Sequence, residues 1–253
     1  MTKAFEGKVV LITGGSRGLG AATAEAFADH GAQVAISYAA SAEKAHAVVK
    51  QLEAKGVRAI AIKSDQADLA SAKPLIDAVI AEFGKLDILV NNAGVAIQGT
   101  SVDDPNLDEE KYNRQWQVNV MGSIANMRAA APKLTDGGRI IFIGSLLGEC
   151  VPFKGVADYA GTKAALVGYA RGVARDLGPR NITVNVLQPG IMPTDMAKDV
   201  AGELPDLEAI LDLHPIRRIA TLEEVAATVC FLAGPHAGYI TGETINMAGG
   251  FGI

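Results

Sequence analysis

Residues 9–20 read VVLITGGSRGLG. Val9 to Ile12 is a short apolar run, as a buried strand would have. Glycines follow at 14, 15, 18 and 20, and the alanine-rich run from Ala21 to Asp29 reads as a helix. Strand, glycine turn and helix in this order make a dinucleotide-binding unit. The glycines let the backbone approach a pyrophosphate, and the helix N-terminus offers unpaired N–H groups and the positive end of its dipole. Glycine-rich turns are common by themselves; the strand before and the helix after give this one its meaning. It assigns Gly14, Ser16, Arg17, Gly18, Leu19 and Gly20 to the cofactor.

The next strand is Gln33 to Tyr38, after a break at Gly31. Its polar end and the following loop, with Ser37, Tyr38 and Ser41, belong beside the adenosine ribose. NAD-specific sites place an acidic residue there. Here the first acid is Glu43, already in the next helix, so nothing repels a 2′-phosphate. Arg17 either pairs with such a phosphate or is a solvated turn residue. NADP(H) is therefore favoured, with NAD(H) possible.

The rest of the chain alternates. Glu43–Lys55 reads as an amphipathic helix stopped by Gly56, and Val57–Lys63 as a strand. Asp65 follows that strand and either accepts from an adenine amino group or caps the next helix. That helix starts at Asp68 or Ser71 and ends at Phe83. Leu86–Val90 is a strand leading into Asn91-Asn92-Ala93-Gly94, where the asparagines can tie strands together and Gly94 leaves room for a ligand. After a polar loop, Thr100–Asn106, a long helix carries Tyr112, Trp116, Asn119 and Met127 to about Lys133, with Trp116 expected in core or interface packing. Strand Arg139–Ile143, helix Asp158–Leu177 and strand Ile182–Leu187 follow. Ile191–Pro215 is a long connection, expected to act as a lid. Thr221-Leu222-Glu223-Glu224 fits a capping box for a helix Leu222–Ala233, and a last strand lies within Ile240–Met247. The prediction is a single α/β domain, residues 1–253, with a doubly wound parallel sheet.

Composition describes an ordinary globular protein and argues against other classes. Hydrophobic residues make 49% and charged residues 20% of the 253 positions. A net charge of −5 gives no basic face for nucleic acid. No apolar run approaches the ~18 residues of a membrane span, and the N-terminus lacks a signal-peptide core, so the expected compartment is the cytoplasm. Cys150 and Cys230 form no CxxC and read as thiols, Cys230 within a helix. The four histidines are scattered, without metal-ligand spacing, so no metal is expected.

Tyr159 and Lys163 stand four residues apart, on one helix face. An adjacent ammonium, with a cationic nicotinamide, favours the phenolate and lowers the phenol pKa by about a unit or more, making Tyr159 a general acid/base. Ser145, at the end of the strand before that helix, can hydrogen-bond a substrate carbonyl.

The chain resembles the short-chain dehydrogenases/reductases, in the single-domain branch of this length. The matching positions are Thr13-Gly14-x3-Gly18-x-Gly20, Asn91-Asn92-Ala93-Gly94, Asn119, Ser145, Tyr159-x3-Lys163 and Pro189-Gly190-x3-Thr194, in the family's order. The resemblance implies a sheet order of 3-2-1-4-5-6-7 and a homotetramer, with the helices of Asn119 and Tyr159 at one interface. It implies that Tyr159 exchanges a proton with the carbonyl oxygen and that Ser145 steadies that oxygen. Lys163 would hold the nicotinamide ribose, and Asn119 would position a water linking Lys163 to solvent. It adds Asp65, Gln66, Asn92, Ala93, Gly94, Pro189, Gly190, Ile191 and Thr194 to the cofactor contacts and gives Asn91 a sheet-stabilising role. One departure is Ala39, where NADP-preferring relatives often carry a basic residue.

The expected substrate pocket draws on Val95 and Ile97, on Leu146, Leu147, Glu149, Cys150 and Phe153, and on Met196 of the lid. These are mostly apolar. The lid carries Asp195, Asp199, Glu203, Asp206, Glu208 and Asp212 against Lys198, which disfavours an anionic substrate. The expected substrate is a neutral ketone or aldehyde, or the alcohol in reverse. The alternative is a 3-oxoacyl-[acyl-carrier-protein] reductase, for which Arg128, Arg171 and Arg175 are candidate carrier contacts. A polyol or sugar dehydrogenase would want a more polar pocket. A non-catalytic dinucleotide sensor would be expected to lose Tyr159 or Lys163.

Overall fold

A computed structural model describes residues 3–196 and 206–253. The first unit is as the sequence implies: β1 (Val9–Ile12), α1 (Gly18–Asp29) and β2 (Gln33–Tyr38). Helix α1 starts three residues earlier than its alanines indicate, because its first turn is built from the glycine loop itself. There follow α2 (Ala42–Ala54), β3 (Ala59–Lys63), α3 (Ala72–Phe83) and β4 (Leu86–Asn91). Next come α4 (Glu109–Trp116), α5 (Ser123–Ala130), β5 (Leu134–Ile143), α6 (Ala157–Leu177) and β6 (Thr183–Pro189). The described chain ends with α7 (Leu207–Leu211), α8 (Leu222–Ala233) and β7 (Thr244–Met247).

All seven strands are parallel, in the order β3-β2-β1-β4-β5-β6-β7. Strands β1, β4 and β6 are buried along their whole length. That follows from helices covering both faces of a parallel sheet, and it explains their continuous apolar runs. One core, around Phe27, Ile36 and Val229, packs α1, α2 and α8 on one face. The other, around Ile76, Phe142 and Leu166, packs α3, α5 and α6 on the opposite face. The order reverses between β1 and β4, which opens a crevice at their C-terminal ends.

Two elements differ from expectation. The long helix is broken by a π turn, Gln117–Gly122, between α4 and α5. Strand β5 begins at Leu134, pairing with Leu86, and its register shifts across the Asp136-Gly137-Gly138 turn before resuming at Arg139. Strand β7, Thr244–Met247, lies within the stretch expected to hold it.

The capping box forms as expected: Thr221 Oγ1 accepts from the Glu224 N–H at 3.2 Å, and the Glu224 carboxylate accepts from the Thr221 N–H at 2.9 Å. Thr221→Ala is expected to cost about 1 kcal/mol, read as a lowered midpoint in urea at unchanged slope. Cys230 is buried on α8, where burial pushes its thiol pKa up to about 12. Cys150 is a free thiol. Among the described residues no helix is long and apolar enough to cross a membrane.

Candidate active site

The cleft at the crevice begins at the glycine turn. Gly14 and Gly18 adopt φ of +66° and +54°. A Cβ on Gly14 would stand 2.9 Å from the Ala93 Cα, and one on Gly20 would overlap the Gly14 carbonyl oxygen. Only glycines let this loop lie against the end of β4. Asn92 locks the two together: its Nδ2 donates to the Thr13 and Gly14 carbonyls at 2.8 and 3.2 Å. Thr13 Oγ1 accepts from the Asn92 and Ala93 N–H groups at 3.1 and 3.0 Å. Asn91, expected to share in this tie, instead has a buried amide with no partner.

Helix α1 aims its N-terminus at the cleft. Its N-cap residue, Arg17, makes no side-chain bond to the first amides, and no acid sits in the first turn. The open amides, the glycine cradle and the positive dipole end fit a pyrophosphate. Ser16, Leu19, Ser37, Tyr38 and Ser41 line the same mouth. Arg17 is not solvated alone: its Nη1 lies 3.0 Å from Asp195, which also faces Lys44 at 3.9 Å.

Asp65 lines the mouth as well. Its Oδ1 accepts from the Ala67 N–H at 3.0 Å, and Arg114 pairs with Oδ2 at 3.1 Å. The Ala67 N–H, aided by Arg114 and opposed by burial, holds this carboxyl below the usual range. Capping of the next turn falls to Asp68, whose Oδ1 accepts from the Ala70 N–H. Gln66 turns inward: its side chain is buried and bonds the π turn, which the sequence did not indicate.

The far end of the cleft gathers Gly94, Val95, Ser145, Tyr159 and Lys163. Tyr159 and Lys163 are on α6, both buried. Lys163 Nζ donates to the Ile143 carbonyl at 3.0 Å and stands 5.7 Å from the Tyr159 ring centre. Burial pushes the Lys163 pKa down to about 8. The expected lowering of the Tyr159 pKa counted a cationic nicotinamide; the chain's own groups by themselves act in the other direction. Burial raises it to about 12, partly opposed by a hydrogen bond with Ser145. Desolvation disfavours the charged form of both groups. A Cβ on Gly94 would come within 3.3 Å of Asn119 Oδ1 and 3.5 Å of Lys163 Nζ, so the missing side chain keeps the space between them open.

Asn119 is the third residue of the π turn. Its Oδ1 accepts from the Val95 N–H at 2.8 Å. Its Nδ2 donates to the Val95 carbonyl at 2.9 Å and to Thr162 Oγ1 at 3.1 Å. Thr162 Oγ1 donates in turn to the Tyr159 carbonyl at 2.7 Å, tying Asn119 to α6.

Pro189, Gly190, Thr194 and Met196 line the cleft on its third side, and Ile191 lies between them in sequence. The expected substrate residues divide. Val95 and Met196 line the cleft. Leu146, Cys150 and Phe153 pack against the tail at Ala248 and Phe251, and Glu149 accepts from Asn246 Nδ2 at 3.0 Å. The Ile97 N–H is held by Gln115, and neither Ile97 nor Leu147 lines the cleft. Among the described residues of the expected lid, part of the acidity is paired: Asp195 with Arg17, and both Glu208 and Asp212 with Arg217. Lys198, Asp199 and Glu203 lie outside the described residues. Arg114, Lys44, Val118, Ile143 and Met192 are additions that no motif in the sequence pointed to. A second groove, between α1 and α8, contains none of the expected site residues.

A family model described as enoyl-(acyl carrier protein) reductase matches residues 14–252. A short-chain dehydrogenase from Burkholderia cenocepacia, solved in complex with NADP, is 44% identical with a TM-score of 0.92, covering 99% of this chain and 100% of that one. This chain belongs to the short-chain dehydrogenase/reductase family. As such it is an NAD(P)-dependent oxidoreductase working between a carbonyl and its alcohol. Two curated relatives share this dehydrogenase/reductase chain nearly end to end. One is the cyclic-di-GMP-binding biofilm dispersal mediator protein of Escherichia coli, 41% identical over 98% of this chain and 99% of its own. The other is a 3-oxoacyl-[acyl-carrier-protein] reductase of Staphylococcus aureus, 38% identical over 96% and 97%.

Proposed function

We propose that this chain is an NADP(H)-preferring reductase of neutral ketones and aldehydes. The observation that carries the reading is one continuous cleft. It starts at Arg17 and Ser37 and ends where Ser145, Tyr159 and Lys163 converge. A bound nicotinamide supplies the hydride. Tyr159, protonated at neutral pH, donates its phenolic proton to the carbonyl oxygen as negative charge develops there. Ser145, within hydrogen-bonding reach of that phenol, steadies the same oxygen. Lys163 holds the nicotinamide ribose and returns a proton towards Tyr159, and Asn119 with Gly94 keeps the path from Lys163 to water open. Gly14, Gly18 and the α1 amides hold the pyrophosphate, Asp65 the adenine, and Thr194 the carboxamide. Val95, Val118, Ile143, Met192 and Met196 add apolar surface to the cleft lining, which favours an uncharged substrate.

The absence of an acid at Tyr38 and the position of Arg17 support NADP(H). Arg17→Gln is expected to raise KM for NADPH by about 10–100-fold while leaving that for NADH within about 2-fold. Equal effects on both cofactors would remove Arg17 from 2′-phosphate recognition.

A second reading, 3-oxoacyl-[acyl-carrier-protein] reductase, is favoured by the Staphylococcus aureus relative. Initial rates with NADPH against trifluoroacetophenone and an acetoacetyl thioester separate the two. Faster ketone reduction supports the first, and a large excess with the thioester supports the second. The sensor reading takes weight from the name of the Escherichia coli relative, but Ser145, Tyr159 and Lys163 are all in place here.

The assembly proposed is a homotetramer in the cytoplasm. Support comes from exposed Trp116 and Met121 beside α6, and from exposed Phe231 and Tyr239 on the α8 side. Trp116 is no core residue: its indole lies over Gly161, and its N–H donates to Asp158 at 2.8 Å.

A further inference from the structure

We infer that Gln66 is a positioning residue for Asn119, a wedge that keeps the helix between α4 and α5 in its π turn. The inference rests on the role of Asn119 proposed above.

In an α-helix the Val118 carbonyl would accept from the N–H of Gly122, four residues on. A π turn moves each amide's partner one residue further back, so Gly122 no longer claims the Val118 carbonyl. Here the Val118 carbonyl is taken by Gln66 Nε2 at 2.8 Å, across 52 residues of sequence. The same amide nitrogen donates to the Ala93 carbonyl at 3.1 Å and lies 3.4 Å from Ser123 Oγ. Gln66 Oε1 accepts from Asn126 Nδ2 at 3.1 Å, one turn further along α5. The amide of Gln66 is thus satisfied at both atoms, and burying it is tolerable only because of these bonds.

The fit is mutual. A Cβ on Gly122 would overlap the Gln66 carbonyl oxygen, so glycine at this point of the π turn is what admits the wedge. Ser123 carries the contact onward, donating from Oγ to the Asn119 carbonyl at 3.0 Å. Gln66 therefore holds the turn that contains Asn119 at one end of a buried chain, Asn126–Gln66–Ser123–Asn119. Loss of the wedge lets the turn relax to α register, which rotates Asn119 relative to α5 by up to about 100°, one residue of helix. Asn119 would then lose its grip on Val95 and Thr162. Gln66 itself lines the cofactor mouth, but its amide atoms are engaged in the buried chain, so their removal should spare binding.

The test compares Gln66→Met, which keeps the volume and removes the amide, with Asn119→Ala and with the double variant. Each is assayed with NADPH and whichever of trifluoroacetophenone and acetoacetyl thioester the parent reduces faster. The expected result is a kcat lowered about 10–100-fold in Gln66→Met with KM for NADPH within about 2-fold. Its pH profile should match that of Asn119→Ala, and the double variant should be no slower than Asn119→Ala alone. Parental kcat in Gln66→Met overturns the wedge, as do multiplied losses in the double variant with an unshifted pH profile. Parental kcat in Asn119→Ala would instead remove the role of Asn119, and the proposal with it. If Gln66→Met does not fold, Ser123→Ala decides the matter. A kcat loss of about 3-fold that vanishes in the Asn119→Ala background supports the chain, and parental kcat overturns it.

Discussion

Tyr159→Phe is expected to lower kcat by about 10²–10⁴-fold while NADPH still binds. The substitution removes one oxygen from a buried side chain and leaves the ring, which packs beside Lys163, in place. What it removes is the proton donor. Burial holds the phenol pKa above its ordinary value. At neutral pH the phenol is protonated, as reduction requires, so reduction should hold through the neutral range. Alcohol oxidation needs the phenolate and should climb as the solution becomes alkaline. Turnover of Tyr159→Phe near the parental rate, with NADPH binding measured by fluorescence titration, would show that the proton comes from elsewhere.

Lys163→Met carries the second large effect, and it separates activity from stability. Activity should fall by a comparable factor, with weaker cofactor binding, since Lys163 is proposed to serve both. Stability should move the other way at neutral pH. Burial lowers the lysine pKa from 10.5 to about 8 in the folded chain. Between those values the unfolded chain binds a proton that the folded chain does not, so parental stability rises with pH there. Below pH 8 both states are protonated and the cost of burying the ammonium is fully present. Above 10.5 both are neutral and the cost is gone. The parent should therefore gain on Lys163→Met by roughly 3 kcal/mol between pH 8 and 10.5, less the slope from other groups common to both proteins. Urea unfolding of the two proteins across this window reads the difference directly. A difference that stays flat from pH 7.5 to 10.5 would mean that Lys163 is not held in a desolvated site.

The sheet was legible because its signals are local and repeated. Apolar runs such as Leu86–Val90, each bounded by turn residues, fall on buried strands, and the capping box at Thr221 marks the start of α8 to the residue. The proposed catalytic residues stood out as a set of types at set spacings, and the fold brings Ser145, Tyr159 and Lys163 into one cleft. What the sequence did not reveal depends on distant partners. Nothing near Asn119 announces a π turn, because the group that takes the Val118 carbonyl is Gln66, after a different strand. Burial, a property of the whole fold, raises the tyrosine pKa in the chain by itself, whereas the expected lowering counted the charge of a bound nicotinamide as well. The substrate loop looked like pocket lining by its apolar composition, but Leu146 and Phe153 spend their surface on Phe251 of the tail. Among the described residues, part of the lid's acidity is paired by Arg17 and Arg217, which come from outside the run of residues counted.

The central claim is hydride transfer from NADPH to a carbonyl carbon, with Tyr159 as the acid. NADPH carrying deuterium at the nicotinamide C4 tests it most directly, with trifluoroacetophenone and an acetoacetyl thioester as acceptors and the product followed by mass spectrometry. The account predicts deuterium on the carbinol carbon of at least one product with the parent chain, and its loss in Tyr159→Phe. NADPH that binds but transfers no deuterium to either acceptor would contradict it and leave the chain a binder of the dinucleotide.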